Sequence, residues 1–309
     1  MEIFVVRYKR FASFFLAVLP AISLCLFVFA GQGSDVQTLS LDDRIVLIVR
    51  GDDIGSCHAA NVACIKTYKE GIVRTVEVMV PAPWFNEAVE MLGENPALDV
   101  GVHLTLTSEW EFYKWGPVTQ APSLVDGQGH FFPATSQRAD FPPHTGFLQA
   151  KPRIDEVEKE LSAQIELARK KIAQVSHLSC HMGTARSTPQ LRALVEKLSQ
   201  EYKLPLGVPG AKSVRGFGGS DMSAEEKEAA LVAILEKLKP GVWILVEHPG
   251  LDTPEMRALG HVGYRNVAAH RDGVTGAFTS EKVKAIVKKR RIECMGYRDA
   301  MKILERRAK

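Results

Sequence analysis

Five consecutive aliphatic residues, Ile45-Val46-Leu47-Ile48-Val49, run directly into Arg50-Gly51-Asp52-Asp53-Ile54-Gly55. An unbroken apolar run of this length reads as a strand buried on both faces, the kind found in α/β sheets covered by helices. Two adjacent carboxylates at its end put oxygen ligands at the rim of such a sheet. Later strand-like runs end in His103, His181 and His248. Asp and His converging from several strand ends point to a metal-dependent hydrolase.

The rest of the chain supports an alternating pattern. Strand-like runs are expected at 45–50, 73–80, 98–106, 175–180, 204–208, 242–246 and 292–295. Helices are expected at 57–70, 84–93, 154–172, from Pro189 onward, at 223–238 and at 280–289. Ile154, Val157, Leu161, Ile165 and Ile172 share one helical face. Alternation of this kind predicts an α/β fold with a mostly parallel sheet. About seven βα units favour an irregular (β/α) TIM-like barrel with about seven parallel strands, forming a single domain over 45–305. In such barrels the chemistry sits at the C-terminal ends of the strands. Asp52, Asp53, His103, His181 and His248 all fall there.

Residues 107–150 break the pattern. This long segment carries Trp110, Phe112, Tyr113, Trp115, Phe131, Phe132, Phe141 and Phe147. A loop of this length in a compact domain is usually a lid or a binding loop. Its aromatic faces suit stacking on sugar rings, and equally a small satellite core.

The N-terminus reads as a separate object. Arg7, Lys9 and Arg10 precede an apolar stretch from Phe11 to Ala30. A basic start, an apolar middle and small residues before a cut near Ala30 describe a secretory signal. The same stretch is about long enough for a membrane anchor. Either reading exports the domain, with residues 31–44 as an exposed lead-in, and the anchor reading adds membrane association. Removing residues 1–30 takes away three bases and Glu2, leaving a near-neutral domain with no charge bias toward nucleic acid. Cys57 and Cys64 fall two turns apart on one expected helix, too far to bridge. Without a CxxC pair a structural zinc site is not expected, and the cysteines read as small buried thiols.

Each candidate residue also has a structural reading. In extended geometry Asp52 and Asp53 point to opposite sides, so one can bind metal while the other takes a second role; Asp53 or Ser56 could instead cap the next helix. His103 lies in an apolar strand, where a lone histidine is more often a satisfied core residue than a ligand, and Gly101 beside it permits close approach of another group. His177 and His181 have a spacing that on a helix would clamp zinc. At a strand end they lie about 13 Å apart, leaving His181 as the ligand and His177 nearby or structural. His248 leaves a buried strand at a Pro-Gly turn, a good place for a general acid or an orienting group, and also a place where a turn histidine can stand without a role. Glu77 is a carboxylate inside an apolar strand and needs a partner, with Arg50 and Arg74 in view.

Asp52-Asp53-Ile54-Gly55, Asn61 and Gly71-Ile72-Val73 resemble the opening of the YdjC-like carbohydrate deacetylases. Leu98 to Leu104, His177 to His181 followed by Pro189, and His248-Pro249-Gly250 are similar to three further motifs of that family, in the same order. The resemblance spans roughly residues 45–299. It implies an irregular barrel that removes acetyl groups from N-acetylated sugars with a divalent metal, magnesium or zinc. Asp53, His103 and His181 would be the ligands, Asp52 the general base, and His248 an acid or transition-state stabiliser. The chain departs from the family where Arg50-Gly51 replaces Asn-Ala, where Ile54 replaces Phe, and where Ser179 replaces an Asp two residues before the third ligand. Other readings stay open: an exported metal hydrolase acting on a non-sugar amide or ester, or a carbohydrate-binding protein without turnover. Formation of a homodimer is also left open.

Overall fold

The computed structural model describes residues 43–307, apart from residues 216 and 218. The expected signal or anchor, and most of the lead-in segment, lie outside the described residues. Among those described, no helix is long and apolar enough to cross a membrane.

The chain begins with β1 (Ile45–Ile54), α1 (His58–Lys69), β2 (Thr75–Val78), α2 (Phe85–Gly93) and β3 (Asp99–Leu104). After the long loop come α3 (Ile154–Lys171), β4 (Val175–Cys180), α4 (Pro189–Tyr202) and β5 (Lys212–Val214). The last part holds α5 (Ala224–Lys237), β6 (Gly241–Glu247), α6 (Pro254–Arg257), α7 (Val267–Thr279), α8 (Glu281–Lys289), β7 (Ile292–Cys294) and α9 (Tyr297–Arg307). Local chemistry fixes several starts. Thr188 caps α4 ahead of Pro189 at its first position, and Ser223 with Glu226 forms a reciprocal capping box on α5.

All strand pairings are parallel, in the order β4-β3-β2-β1-β6-β5, with β7 added to β1. Residues 45–51 of β1 pair with β6 along one edge. The opposite edge is shared by β7, at Ile45 to Leu47, and β2, from Arg50 upward. β1 is therefore the centre of the sheet, and its interior from Val46 to Val49 is at most 1% exposed. The seven parallel strands match the expected α/β class. Among the described residues β4 and β5 share no ladder, but the Leu178 N–H donates to the Pro205 carbonyl at 2.9 Å, so the sheet curls toward closure without completing it. This is consistent with an irregular barrel.

The expected strand at 204–208 is not formed. Leu204, Leu206 and Val208 imitate alternation, but Pro205 and Pro209 carry no N–H for a ladder, and the strand lies later, at β5. Helices α6, α7 and α9 were not expected from the pattern.

The loop 107–150 packs down onto the sheet. Trp110, Trp115, Phe131, Phe132 and Phe147 are buried, whereas Phe112 is 84% exposed. Buried Glu160 on α3 accepts from the Val118 and Thr119 N–H groups, and Gln164 pairs with both backbone groups of Thr105. Tyr113 reaches across to the Ser56 carbonyl at 2.7 Å. Most of the aromatic residues thus join the main hydrophobic core, and the separate satellite core expected as one reading is not formed. The four cysteines of the described part are free thiols, with Cys57 and Cys64 fully buried.

Candidate metal centre

The end of β1 is not regular. Its register against β2 slips between Gly51 and Ile54, and Asp53 adopts a left-handed φ of 72°. A bulge of this kind re-aims side chains at the rim of a sheet. The opposite orientations expected for Asp52 and Asp53 therefore do not occur. Both carboxylates face His103, whose Nε2 lies 3.8 Å from Asp52 Oδ2 and 3.6 Å from Asp53 Oδ1. The helix-cap reading also fails, because Cys57 occupies the cap of α1 and no side chain bonds there. The exit of the bulge is held by Asn61, which accepts from the Gly55 N–H and donates to the Trp84 carbonyl and to Glu87.

His103 projects from β3. His181 follows β4, at a sharp turn where Met182 and Gly183 both take positive φ. Its Nδ1 lies 3.4 Å from Asp53 Oδ1. One ligand atom each from Asp53, His103 and His181 falls within 4.8 Å of the others, and all three residues are buried. Asp53 Oδ1 has no hydrogen-bond partner. A buried, unsatisfied carboxylate oxygen between two imidazole nitrogens is costly without a cation. One carboxylate with two imidazoles is a donor set that could hold a divalent metal and leave positions open.

The supports around these residues set their charges. Burial alone would raise the Asp53 carboxyl. Arg271, which donates from Nη2 to Asp53 Oδ2 at 2.8 Å, pulls it instead well below the usual carboxylate range, with His248 and His181 behind it. Burial pushes His103 down to about 4, so its ring is neutral at ordinary pH. His181 goes the other way: burial would lower it, but Glu109, 2.9 Å from its Nε2, and Asp53 raise it to about 10. Arg50 grips Asp52 with two nitrogens.

His248 follows β6 and lines an open cleft of about 510 Å³ together with Asp53, Trp110, His181, Tyr264 and Arg271. Its side chain is 39% exposed. Desolvation acts to lower its pKa, but Asp53 and neighbouring Glu247 carry it above the ordinary histidine value. His177 is not in the cleft. It lies fully buried behind β4, bonded to Glu77 at 2.6 Å and stacked on Tyr297 at 3.8 Å. The structure thus gathers Asp52, Asp53, His103 and His181 into one cluster and sets His248 at its open side. Sequence reasoning missed Glu109, which lies in a loop without periodicity, and Arg271, which lies on an unexpected helix.

The profile of the YdjC-like protein family matches residues 46–289. A carbohydrate deacetylase of Thermus thermophilus is 35% identical over 248 residues, covering 72% of this chain and 84% of that protein. A carbohydrate deacetylase of Listeria monocytogenes is 28% identical over 265 residues, covering 82% of this chain and 99% of that protein. A solved structure of a candidate cellobiose-phosphate cleavage protein from Enterococcus faecalis superposes with a TM-score of 0.66 at 23% identity, covering 83% of this chain and 98% of that one; it shares the fold.

Proposed function

Because the chain belongs to the YdjC-like family, we propose that it is a metal-dependent hydrolase that removes acetyl groups from N-acetylated carbohydrates. The observation that carries this reading is the convergence of Asp53, His103 and His181 on one buried point, with the Asp52 carboxylate beside it. The relatives named as carbohydrate deacetylases supply the substrate class.

Asp53, His103 and His181 would hold a divalent cation, magnesium or zinc, which would supply polarisation of the acetamide carbonyl and acidification of the attacking water. Asp52 takes the proton of the attacking water. Arg50 holds that carboxylate in a fixed direction through two hydrogen bonds. His248, open to the cleft and held toward its protonated form, gives a proton to the leaving nitrogen, so that acetate and a free amine depart. Trp110 and Tyr264, which line the cleft, supply aromatic faces for a sugar ring. The basic start and apolar stretch of residues 1–30 support export of the enzyme from the cytoplasm.

The test is acetate release from a panel of N-acetylglucosamine oligomers by metal-stripped protein supplied with Zn²⁺, Mg²⁺, Mn²⁺ or Co²⁺ in turn. Metal-dependent release that disappears in Asp53→Ala and His103→Ala is the expected result. Metal binding without acetate from any sugar would overturn the substrate class.

A further inference from the structure

Glu77 is the carboxylate whose burial in an apolar strand required a partner. It is fully buried on β2, and its two oxygens do different things. Oε1 meets His177 Nε2 at 2.6 Å, and Oε2 accepts from the Ser179 hydroxyl. Ser179 Oγ in turn lies 2.7 Å from His103 Nδ1. The connection crosses three strands. Glu77 pairs in register with Gly101 on β3, and Gly101 pairs with His177 on β4. A Cβ on Gly101 would sit 2.1 Å from Glu77 Oε2 and 2.5 Å from His177 Nε2. The missing side chain is what lets Glu77 pass over the middle strand.

The hydrogens in this chain can be counted. An ionised carboxylate only accepts. Arg50, 3.8 Å from Oε1, and His177 both favour that ionised form against the burial that opposes it. Ser179 owns one hydrogen and gives it to Glu77. Its oxygen is then left to accept, so His103 Nδ1 must be the donor. A neutral ring protonated at Nδ1 has a bare Nε2, and Nε2 is the atom that faces Asp53.

We propose that Glu77 and Ser179 form a positioning relay that carries the influence of a β2 carboxylate to His103 and fixes the tautomer whose Nε2 lone pair is presented to the metal. The inference rests on the metal-site reading above and deepens it. Ser179, without charge of its own, acts as the conductor between a ligand and a carboxylate two strands away. Outer partners of this kind orient a ligating imidazole and raise its basicity. Because Glu77 touches neither the cation nor substrate, it is a positioning residue.

Glu77→Gln makes the sharpest variant. Its amide oxygen can still accept from His177, which turns its NH₂ toward Ser179. The serine hydroxyl must then donate to His103 Nδ1, and the ring proton moves to Nε2, where a cation would bind. The experiment follows full-length protein by two readouts that do not depend on turnover. Imidazole ¹⁵N NMR of the metal-stripped protein reads the His103 tautomer, and competition with a chelator reads the Zn²⁺ dissociation constant. The wild type is expected to show the Nδ1–H tautomer, and Glu77→Gln the Nε2–H tautomer, with Zn²⁺ bound about 10- to 100-fold more weakly. Ser179→Ala, which leaves the Glu77–His177 contact in place, is expected to lose affinity similarly and guards against a folding defect in the first variant. Combining Glu77→Gln with Ser179→Asp puts a carboxylate directly against Nδ1 and is expected to restore both the tautomer and the affinity. Ser179→Asp alone sets two carboxylates together and is expected to bind Zn²⁺ worse than that pair. An unchanged tautomer in Glu77→Gln, or failure of the double variant to recover affinity, overturns the relay. Absence of Zn²⁺ binding by the wild type would instead overturn the metal-site reading, while the tautomer readout still judges the relay.

Discussion

Arg50 and Asp52, two residues apart on β1, meet through paired hydrogen bonds, Nε to Oδ1 at 2.7 Å and Nη2 to Oδ2 at 2.8 Å. A two-point contact of this kind fixes the direction of a carboxylate. Arg50 stands where the family resemblance led one to expect a different residue, and the structure gives it a task at the proposed base.

Replacing Arg50 by Met should therefore affect turnover more than metal. The expected outcome is a loss in kcat on the order of 100-fold, the scale of a misplaced reacting group, with Zn²⁺ affinity within a few-fold of wild type. Arg50→Lys keeps the charge without the fork and should fall between. Initial rates on a substrate the wild type deacetylates, with a Zn²⁺ titration of each variant, would check this. A kcat unchanged in Arg50→Met would remove Asp52 from the role of an oriented base.

Arg271 donates to the buried Asp53 carboxylate. Removing one partner of a buried pair leaves an uncompensated charge, at a cost of about 3 kcal/mol or more. Arg271→Met should lower the urea unfolding free energy of metal-stripped protein by that order. Zn²⁺ supplies positive charge at the same carboxylate, so saturating Zn²⁺ should stabilise the variant more than the wild type. Equal Zn²⁺ stabilisation of both would show that Asp53 does not receive the metal.

Glu77 titrates below the ordinary glutamate value in the folded state. Burial acts to raise it, and His177 and Arg50 more than offset that. A depressed folded pKa contributes stability that is fully present above the unfolded value of about 4.3 and is lost as pH falls through the lower folded value. Urea midpoints of wild type and Glu77→Gln should differ most near pH 7 and draw together below about pH 4. A gap that stays constant across that range would mean that Glu77 titrates alike in the folded and unfolded states.

Gly101→Ala tests the crossing itself. The added methyl meets Glu77 and His177 at impossible distances, so one of them must move. Overpacking of this kind costs about 1–3 kcal/mol. Thermal unfolding should show that loss, together with weaker Zn²⁺ binding as His103 loses its anchor. A variant as stable as wild type would show that Glu77 has another path.

The parts of this site that were legible in the sequence are those announced by strand ends. Asp53, His103 and His181 each terminate or follow an apolar run, and runs of that kind mark the rim of a sheet. The mutual orientation of Asp52 and Asp53 was not legible, because alternation assumes a regular strand and the left-handed φ at Asp53 breaks it. Helix α7 was hidden for a different reason. Its Gly273 and Gly276 interrupt the apolar stripe, and a Cβ on Gly273 would meet Lys227 at 3.1 Å, so smallness there serves close packing with α5. Arg271 went unseen with it. Ser179 read alone looked like a lost charge. Glu77 read alone looked like a misplaced one. Only the register between β2, β3 and β4 shows that the two belong together.

β1 carries Asp52 and Asp53 and also bears three neighbouring strands. These carboxylates cannot come loose by fraying, since freeing them means breaking the middle of the sheet, and local opening there should cost nearly as much as global unfolding. Glu109 and Arg271, by contrast, reach the site from a loop and an outer helix. The cluster is thus rigid on one side and revisable on the other. Changes to residues 107–150 can reshape what enters the cleft without retuning the centre that acts on it.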